Sequence, residues 1–259
     1  MPVSPALELV GGAVVGSAAG TAAVRWPDGA LCHPRRSTCA GCGRTVRARD
    51  LVPVVAWLRL RGRCRDCAAP IDARLPAIEI SSALLAVLLI GVHGGTRGVA
   101  LSAGAIALLV AATVDLRHRV VPDRLTLPLA AGALAAFPVV VGNASRPQVL
   151  AWALGAPLAL QALVLVARAV GSPRPIGGGD IKLLVGVLLL AGAVDGGPPA
   201  VLLGATVIGG VVASLGLVSG RLGRASRLPF APAIAAAYLL VVLVPGAAEA
   251  LLAPFGGVR

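Results

Sequence analysis

The sequence predicts an all-α polytopic membrane protein with about eight transmembrane helices and one small polar module between the first two. Three observations predict this class. Of the 259 residues, 57% are hydrophobic and only 13% are charged, and the mean hydropathy is +0.89. Long uncharged runs recur along the chain, which is typical of membrane spans rather than of a soluble core. All five cysteines fall in the one sizeable polar stretch, residues 25–76.

Apolar runs place the spans. They cover residues 6–24, 77–93, 98–114, 125–141, 148–168, 181–194, 199–219 and 229–252. A hydrocarbon core of about 30 Å needs about 20 residues, so the second and sixth spans are short for a crossing. We expect the first span to be retained, because residues 1–5 carry no basic side chain of a signal peptide. The predicted division is a first helix at 1–24, a cytoplasmic module at 25–76 and a seven-helix domain at 77–259.

The distribution of basic residues predicts the orientation. If residues 25–76 are cytoplasmic, 20 of the 23 Lys and Arg residues lie inside, and only Arg97, Arg146 and Arg259 lie outside. This positive-inside bias supports eight spans with both termini outside. It also predicts that Asp115 and Asp180 lie on the cytoplasmic side.

Two Cys-x-x-Cys pairs define the module. Cys39 with Cys42 and Cys64 with Cys67 are separated by 21 residues, a spacing that can close a tetrahedral site around Zn²⁺. A segment of about 50 residues buries too little apolar surface to fold alone, so a structural metal is expected. A reducing cytoplasm disfavours the alternative of disulfides, and loss of the site is the third alternative.

The module is also basic, and two partners would explain this. Its arginines include Arg35, Arg36, Arg44, Arg47, Arg49, Arg59, Arg61, Arg63 and Arg65. A nucleic-acid surface on a zinc ribbon is one interpretation. We favour the other, a surface that faces the anionic lipid bilayer beside the membrane, with no nucleic acid bound.

Two aspartates at span ends are the candidate catalytic groups. Asp115 closes the third span and Asp180 opens the sixth. A carboxylate beside hydrocarbon is costly, so it indicates function, although a single interfacial Asp is often only a solvated or capping residue. Asp123, after Pro122, fits that structural interpretation. Two carboxyl groups that share a site provide a general acid and a general base.

Gly177, Gly178 and Gly179 precede Asp180 and would let a substrate backbone approach the carboxylate, with Lys182 nearby. The helix dipole favours Asp180 as the base, because it lies at a helix N-terminus, and Asp115 as the acid. For Glu79 we expect a role in structure or in positioning substrate. His118 is interpreted as an ordinary loop histidine, with proton transfer as the alternative.

Together these motifs resemble the type IV prepilin peptidase family of membrane aspartic proteases. The family's first aspartate corresponds to Asp115. The hydrophobic-Pro-Asp-x-Leu-Thr stretch that follows it in the family corresponds to Val121-Pro122-Asp123-Arg124-Leu125-Thr126. Its Gly-x-Gly-Asp motif matches Gly177-Gly178-Gly179-Asp180. The long family form carries a module like residues 25–76, with two Cys-x-x-Cys pairs around Val52-Pro53-Val54 and Leu60-Arg61-Gly62-Arg63-Cys64.

The resemblance implies a membrane endopeptidase of the bacterial inner membrane. Asp115 and Asp180 would cleave the basic leader from prepilins of type IV pili or pseudopilins of type II secretion at the cytoplasmic face, and Cys39, Cys42, Cys64 and Cys67 would bind zinc. Long members also methylate the new N-terminus from S-adenosylmethionine. Residues 16–28 depart from the family pattern, and the chain has no glycine-rich nucleotide motif, so this second activity stays open. A small transporter or proton channel that uses paired carboxylates is the alternative function, and a non-enzymatic anchor for the module is a third.

Overall fold

The computed structural model describes residues 4–26, 37–170, 176–221, 226 and 228–256. Within these residues the chain is helical, and its β-structure is limited to two isolated bridges in the module. The helices are α1 (Pro5–Arg25), α2 (Val55–Arg59), α3 (Arg74–His93), α4 (Gly95–His118), α5 (Asp123–Val140), α6 (Arg146–Ala169), α7 (Gly178–Ala191), α8 (Gly197–Val218), α9 (Ala231–Leu243) and α10 (Ala247–Leu252). The predicted fold class is confirmed.

The membrane character is confirmed, whereas the count of eight crossings is not established. Six helices are long and apolar enough to span a bilayer, namely α1, α3, α4, α5, α6 and α8. The other two predicted spans correspond to shorter helices, α7 with 14 residues and α9 with 13. The predicted last span, 229–252, is divided because Pro245 and Gly246 (φ +75°) end α9 and start α10.

Three glycines bring α1 against α3. Gly12, Gly16 and Gly20 recur every four residues on one face of α1 and are buried. A Cβ at Gly12 would lie 2.8 Å from the Ser82 carbonyl oxygen, and one at Gly16 would lie 2.6 Å from the Ser82 side chain. Since such distances are below contact, only glycine permits this separation of the helix axes.

The core is built around α7. Nine of its 14 residues are buried, and they pack with side chains of α4, α5, α6, α8 and α9 in one cluster. Its C-terminal end is capped from α4, where the Arg97 guanidinium donates a hydrogen bond to the Ala193 carbonyl. Protein therefore surrounds this short helix along most of its length.

A second, smaller cluster fixes which helix ends lie together. Ala23 near the end of α1, Ile78 near the start of α3 and Val114 near the end of α4 are buried against one another. Leu125 of α5 packs on the same cluster. The module between α1 and α3 therefore lies at the same end of the bundle as the α4–α5 connection.

Candidate active site and metal centre

Asp115 is held at the junction of two helices. It lies in the last turn of α4 and is 3% exposed. Its Oδ2 accepts a hydrogen bond of 3.0 Å from the backbone N–H of Ala231, the first residue of α9. The helix then stops because Arg119 adopts a left-handed conformation (φ 53°) and donates its N–H to the Asp115 carbonyl.

Asp180 lies in the first turn of α7 and is partly buried. Its Oδ1 is buried and has no hydrogen-bond partner among the described residues. A buried carboxylate oxygen without a donor is unusual, since such groups are normally paired. A water molecule or a substrate group that entered the site would satisfy this oxygen.

The fold brings the two aspartates together. Gly179, the residue before Asp180, packs against the Val121 backbone six residues after Asp115, although 64 residues lie between the two aspartates in sequence. Because Asp115 accepts its hydrogen bond from the start of α9, both carboxylates lie at helix N-termini. The dipole argument that assigned the base to Asp180 and the acid to Asp115 therefore no longer distinguishes them.

The connection between α4 and α5 packs directly on the glycines that precede Asp180. A Cβ on Gly179 would lie 2.5 Å from the carbonyl oxygen of Val121. Asp123, the first residue of α5, pairs with Lys182 of α7. Both oxygens of its carboxylate accept hydrogen bonds of 2.8 Å from the Lys182 ammonium. These contacts fix the start of α7 against the end of α4, and so fix the spacing of the two aspartates.

The four predicted cysteine ligands meet at one point. The sulfurs of Cys39, Cys42, Cys64 and Cys67 all lie within 4.8 Å of one another. The Cys39 and Cys67 sulfurs are 3.7 Å apart, close to the edge of about 3.8 Å of a tetrahedron with Zn–S bonds of about 2.3 Å. The arrangement can bind a metal ion.

The two cysteine pairs adopt the same turn. In the first, the Gly43 N–H bonds to the Cys39 carbonyl at 2.9 Å, and in the second the Ala68 N–H bonds to the Cys64 carbonyl at 3.0 Å. Gly43 and Ala68 both have positive φ, 69° and 57°. The module is thus two similar knuckles that face each other across the sulfurs.

Asp50 ties the segment between the knuckles to the second knuckle. Its carboxylate accepts two hydrogen bonds from Arg65, at 2.8 and 2.6 Å, and one from Arg59 at 3.1 Å. The Arg65 hydrogen bonds lower the pKa of Asp50 to about 2. Because the folded pKa lies below the ordinary value, this contribution is present at neutral pH and is lost only as the pH falls towards 2.

We expect Asp50→Asn to release the metal faster while leaving peptide cleavage unchanged. The amide cannot replace the charge-assisted pair with Arg65, so the second knuckle loses its tether. Zinc transfer to a chromogenic chelator would measure the rate, with Asp72→Asn as the control, because Asp72 pairs with Arg74 outside both knuckles. An unchanged release rate would show that the cysteines alone hold the module.

Glu79 joins the module to the membrane helices. It is 7% exposed, and its Oε2 accepts a hydrogen bond of 2.6 Å from the N–H of Val54. The sequence predicted a structural or positioning role for Glu79 but did not identify Val54 as its partner.

His118, which the sequence presented as an ordinary loop histidine, is partly buried. Its Nε2 has no hydrogen-bond partner among the described residues.

Comparison with known proteins identifies the family to which this chain belongs. Residues 10–92 match the family model for the bacterial peptidase A24 N-terminal domain, and residues 102–214 match the type IV leader peptidase family. No solved structure matches the chain.

The curated relatives are named prepilin leader peptidase/N-methyltransferase. That of Burkholderia pseudomallei (strain 1026b) is 37% identical over 210 residues, which cover 80% of this chain and 66% of that protein. That of Aeromonas hydrophila is 34% identical, with 80% and 71% covered. That of Bacillus subtilis (strain 168) is 30% identical, with 90% and 91% covered. The chain belongs to the type IV leader peptidase family, as its motifs predict.

Proposed function

We propose that this protein is a membrane aspartic endopeptidase that removes the basic leader from prepilins or pseudopilins. The observation that carries the proposal is that Asp115 and Asp180, which come from different helices, lie at the same end of the bundle, where the start of α7 packs on the α4–α5 connection. Family membership and the names of the relatives support the same activity.

The chemistry follows from two carboxyl groups that share one site. One, ionised, takes a proton from water as the oxygen attacks the peptide carbonyl. The other, protonated, hydrogen-bonds to that carbonyl. The carboxyl group that took the proton from water then gives it to the leaving amine as the C–N bond breaks. No covalent intermediate with the enzyme is required. The buried, unpartnered Oδ1 of Asp180 would accept a hydrogen bond from this water once it enters the site.

The substrate backbone would lie along Gly177, Gly178 and Gly179. Gly177 and Gly178 are exposed, and the absence of side chains there leaves the Asp180 carboxylate open to an extended peptide. Lys182, two residues after Asp180, was also predicted to contact substrate, and its ammonium pairs with the Asp123 carboxylate. Prepilin would enter from the cytoplasm, where the positive-inside bias places this end of the bundle.

The module would bind zinc as a structural ion through its four cysteines. It would be cytoplasmic and would face anionic lipid through its arginines. A second activity, methylation of the new N-terminus from S-adenosylmethionine, is proposed from the names of the relatives. We propose the same division of the chain that the sequence predicts: a first helix at 1–24, the zinc-binding module at 25–76 and the peptidase helices at 77–259.

The purified chain, reconstituted in vesicles with a prepilin that carries a basic leader, tests the proposal. We expect a shorter product whose new N-terminus, identified by mass spectrometry, lies at the end of the leader. A prepilin with a substituted cleavage site is the matched control. Intact substrate together with proton or solute flux through the vesicles would instead support the transporter alternative.

The role of Lys182 can be separated from that of its partner by a double-mutant cycle. If Lys182 serves only to hold Asp123, Lys182→Ala, Asp123→Ala and the double variant should raise KM alike, by less than about fivefold, because half-exposed pairs contribute about 0–1 kcal/mol. A direct contact with substrate predicts that Lys182→Ala raises KM equally with and without Asp123. The initial rates of leader cleavage distinguish these results.

A further inference from the structure

A cleft with a volume of about 330 Å³ opens on the side of the membrane helices. One wall is α1, the other is α5, and α4 forms the floor, where Leu190 of α7 reaches in beside Gly104. The lining residues Val15, Ala103 and Gly132 are exposed, so the cleft is open to whatever surrounds the bundle. Neither aspartate lines it, and peptide cleavage as proposed above does not use it.

The cleft exists because α1 and α5 both pack on α4 but have different second partners. Helix α1 packs against α3, and α5 packs against α7, where Gly186 lies against Leu129. Between the two walls, α4 presents small side chains, namely Ala100, Ala103 and Ala107. The space therefore results from the arrangement of the membrane helices and not from a loop.

The lining of the cleft is apolar apart from one charge. Of the 17 residues that line it, Arg124 is the only one with a charged or polar side chain. Arg124 is the second residue of α5, at the end of the bundle that carries the module. Its guanidinium has no hydrogen-bond or ion-pair partner among the described residues. A cation at one end of an apolar cleft matches a ligand with an anionic head and a hydrocarbon tail.

The size of the cleft decides between a helix and a single hydrocarbon chain. Its α5 wall runs from Arg124 to Ala136, about 18 Å along the helix axis. A peptide helix of that length and about 10 Å in diameter would occupy on the order of 1,400 Å³, roughly four times the volume of the cleft. An acyl chain is much thinner, and the chains of one leaflet reach about 15 Å, half of the hydrocarbon thickness.

We propose that the cleft binds one phospholipid from the leaflet on the module side. One acyl chain lies along α4 between α1 and α5, and the phosphate accepts hydrogen bonds from the Arg124 guanidinium, whose donors match phosphate oxygens. The other acyl chain stays in the bilayer. Without such a chain, the apolar side chains of the lining would have no contacts on one side.

The position of the cleft gives the bound lipid a structural role. Helix α1 belongs to the segment that matches the N-terminal domain, residues 10–92, whereas α5 and most of α4 belong to the peptidase segment, residues 102–214. A chain in the cleft contacts both segments at once. We therefore expect bound phospholipid to stabilise the module-bearing helix against the peptidase helices.

Gly132→Leu is the direct test, because a Cβ on Gly132 meets no described atom within 4 Å and the larger side chain can occupy the cleft. Gly155→Leu is the matched control. Gly155 is also exposed within a membrane helix, α6, with no described atom near its Cβ, but it does not line the cleft. The full chain in detergent is titrated with phosphatidylglycerol and followed by native mass spectrometry. We expect one tightly bound lipid in the wild type and in Gly155→Leu, and binding at least tenfold weaker in Gly132→Leu.

Arg124→Gln tests the contact with the phosphate. It should weaken the binding of phosphatidylglycerol about tenfold, because a hydrogen bond between charged groups is lost. It should not change the binding of diacylglycerol, which has no phosphate and should bind the wild type about tenfold more weakly than phosphatidylglycerol. Added phosphatidylglycerol should raise the Tm of the wild type and of Gly155→Leu, but not that of Gly132→Leu.

Equal lipid binding by Gly132→Leu and Gly155→Leu would overturn the proposal, because the lipid would then cover the general surface of the helices. Equal affinity of the wild type for phosphatidylglycerol and diacylglycerol would also overturn it. So would displacement of the bound lipid by prepilin, which would assign the cleft to the substrate. None of these measurements requires cleavage, so their outcome is independent of the proposed peptidase activity.

Discussion

Leader cleavage should fall by about 100-fold to 10⁴-fold when either Asp115 or Asp180 is replaced by Asn, because each variant removes one partner of the acid–base pair. The double variant should be no slower than the worse single variant, since the two groups act as a unit. Asparagine at 115 can still accept the Ala231 N–H through its carbonyl, so the junction of α4 and α9 is kept. The measurement is kcat/KM for prepilin processing.

Asp123→Asn is the matched control for this prediction. Asp123 lies at the same end of the bundle and has a carboxylate that is bonded to Lys182. Its loss should change cleavage only severalfold and leave the thermal unfolding temperature nearly unchanged. Full activity in Asp115→Asn or Asp180→Asn, or equal loss in all three variants, would contradict the assignment of the pair.

The three glycines before Asp180 should respond very differently to alanine. At Gly179 the added Cβ would lie 2.5 Å from the Val121 carbonyl oxygen and 3.0 Å from its Cβ. Backbone cannot rotate away as a side chain can, so α7 must separate from the α4–α5 connection. We expect a loss of about 1–3 kcal/mol in stability together with most of the cleavage activity.

At Gly177 the obstacle is the carboxylate of Asp180, the proposed catalytic group. The added Cβ would lie 2.7 Å from Asp180 Oδ2, which a side-chain rotation can relieve. Gly177→Ala should therefore keep its stability and lose cleavage. Gly178→Ala is the control within the series, because a Cβ there would meet no described atom within 4 Å.

Thermal unfolding in detergent and kcat/KM, measured on all three variants, separate these effects. Loss of stability should be confined to Gly179→Ala, and loss of activity to Gly177→Ala and Gly179→Ala. Equal behaviour of the three would show that the glycines supply only flexibility. The expected pattern gives a physical reason for the spacing Gly-x-Gly-Asp, in which the middle residue is free to vary.

Hydropathy and motif spacing predicted the elements of this fold well. The predicted spans agree with the observed helices to within a few residues up to α8, because apolar runs end where charges, Pro and Gly begin. The clustering of the four cysteines could be predicted from the sequence, because two residues between the cysteines of each pair allow both sulfurs to bind one tetrahedral metal ion. Hydropathy predicts one continuous last span, whereas the structure divides it between α9 and α10 at Pro245 and Gly246, two residue types that commonly end helices.

Contacts between distant residues were not predictable in the same way. The Ala231 N–H that bonds Asp115 comes from 116 residues further along the chain, and no local pattern encodes it. The bond from Val54 to Glu79 is also non-local and depends on a strained turn that a β-branched residue rarely adopts. A single sequence shows which groups carry chemistry, whereas their donors are set by packing.

The short central helix has a consequence for hydration. With 14 residues, α7 is about 21 Å long, against a hydrocarbon thickness of about 30 Å. Asp180 stands at one end of it, so with α7 centred in a bilayer the proposed catalytic carboxylate would lie within the hydrocarbon thickness, and the helices packed around α7 would have to separate it from lipid. Because protein rather than lipid packs around α7, we expect the rate of leader cleavage to change little between bilayers with shorter and longer acyl chains.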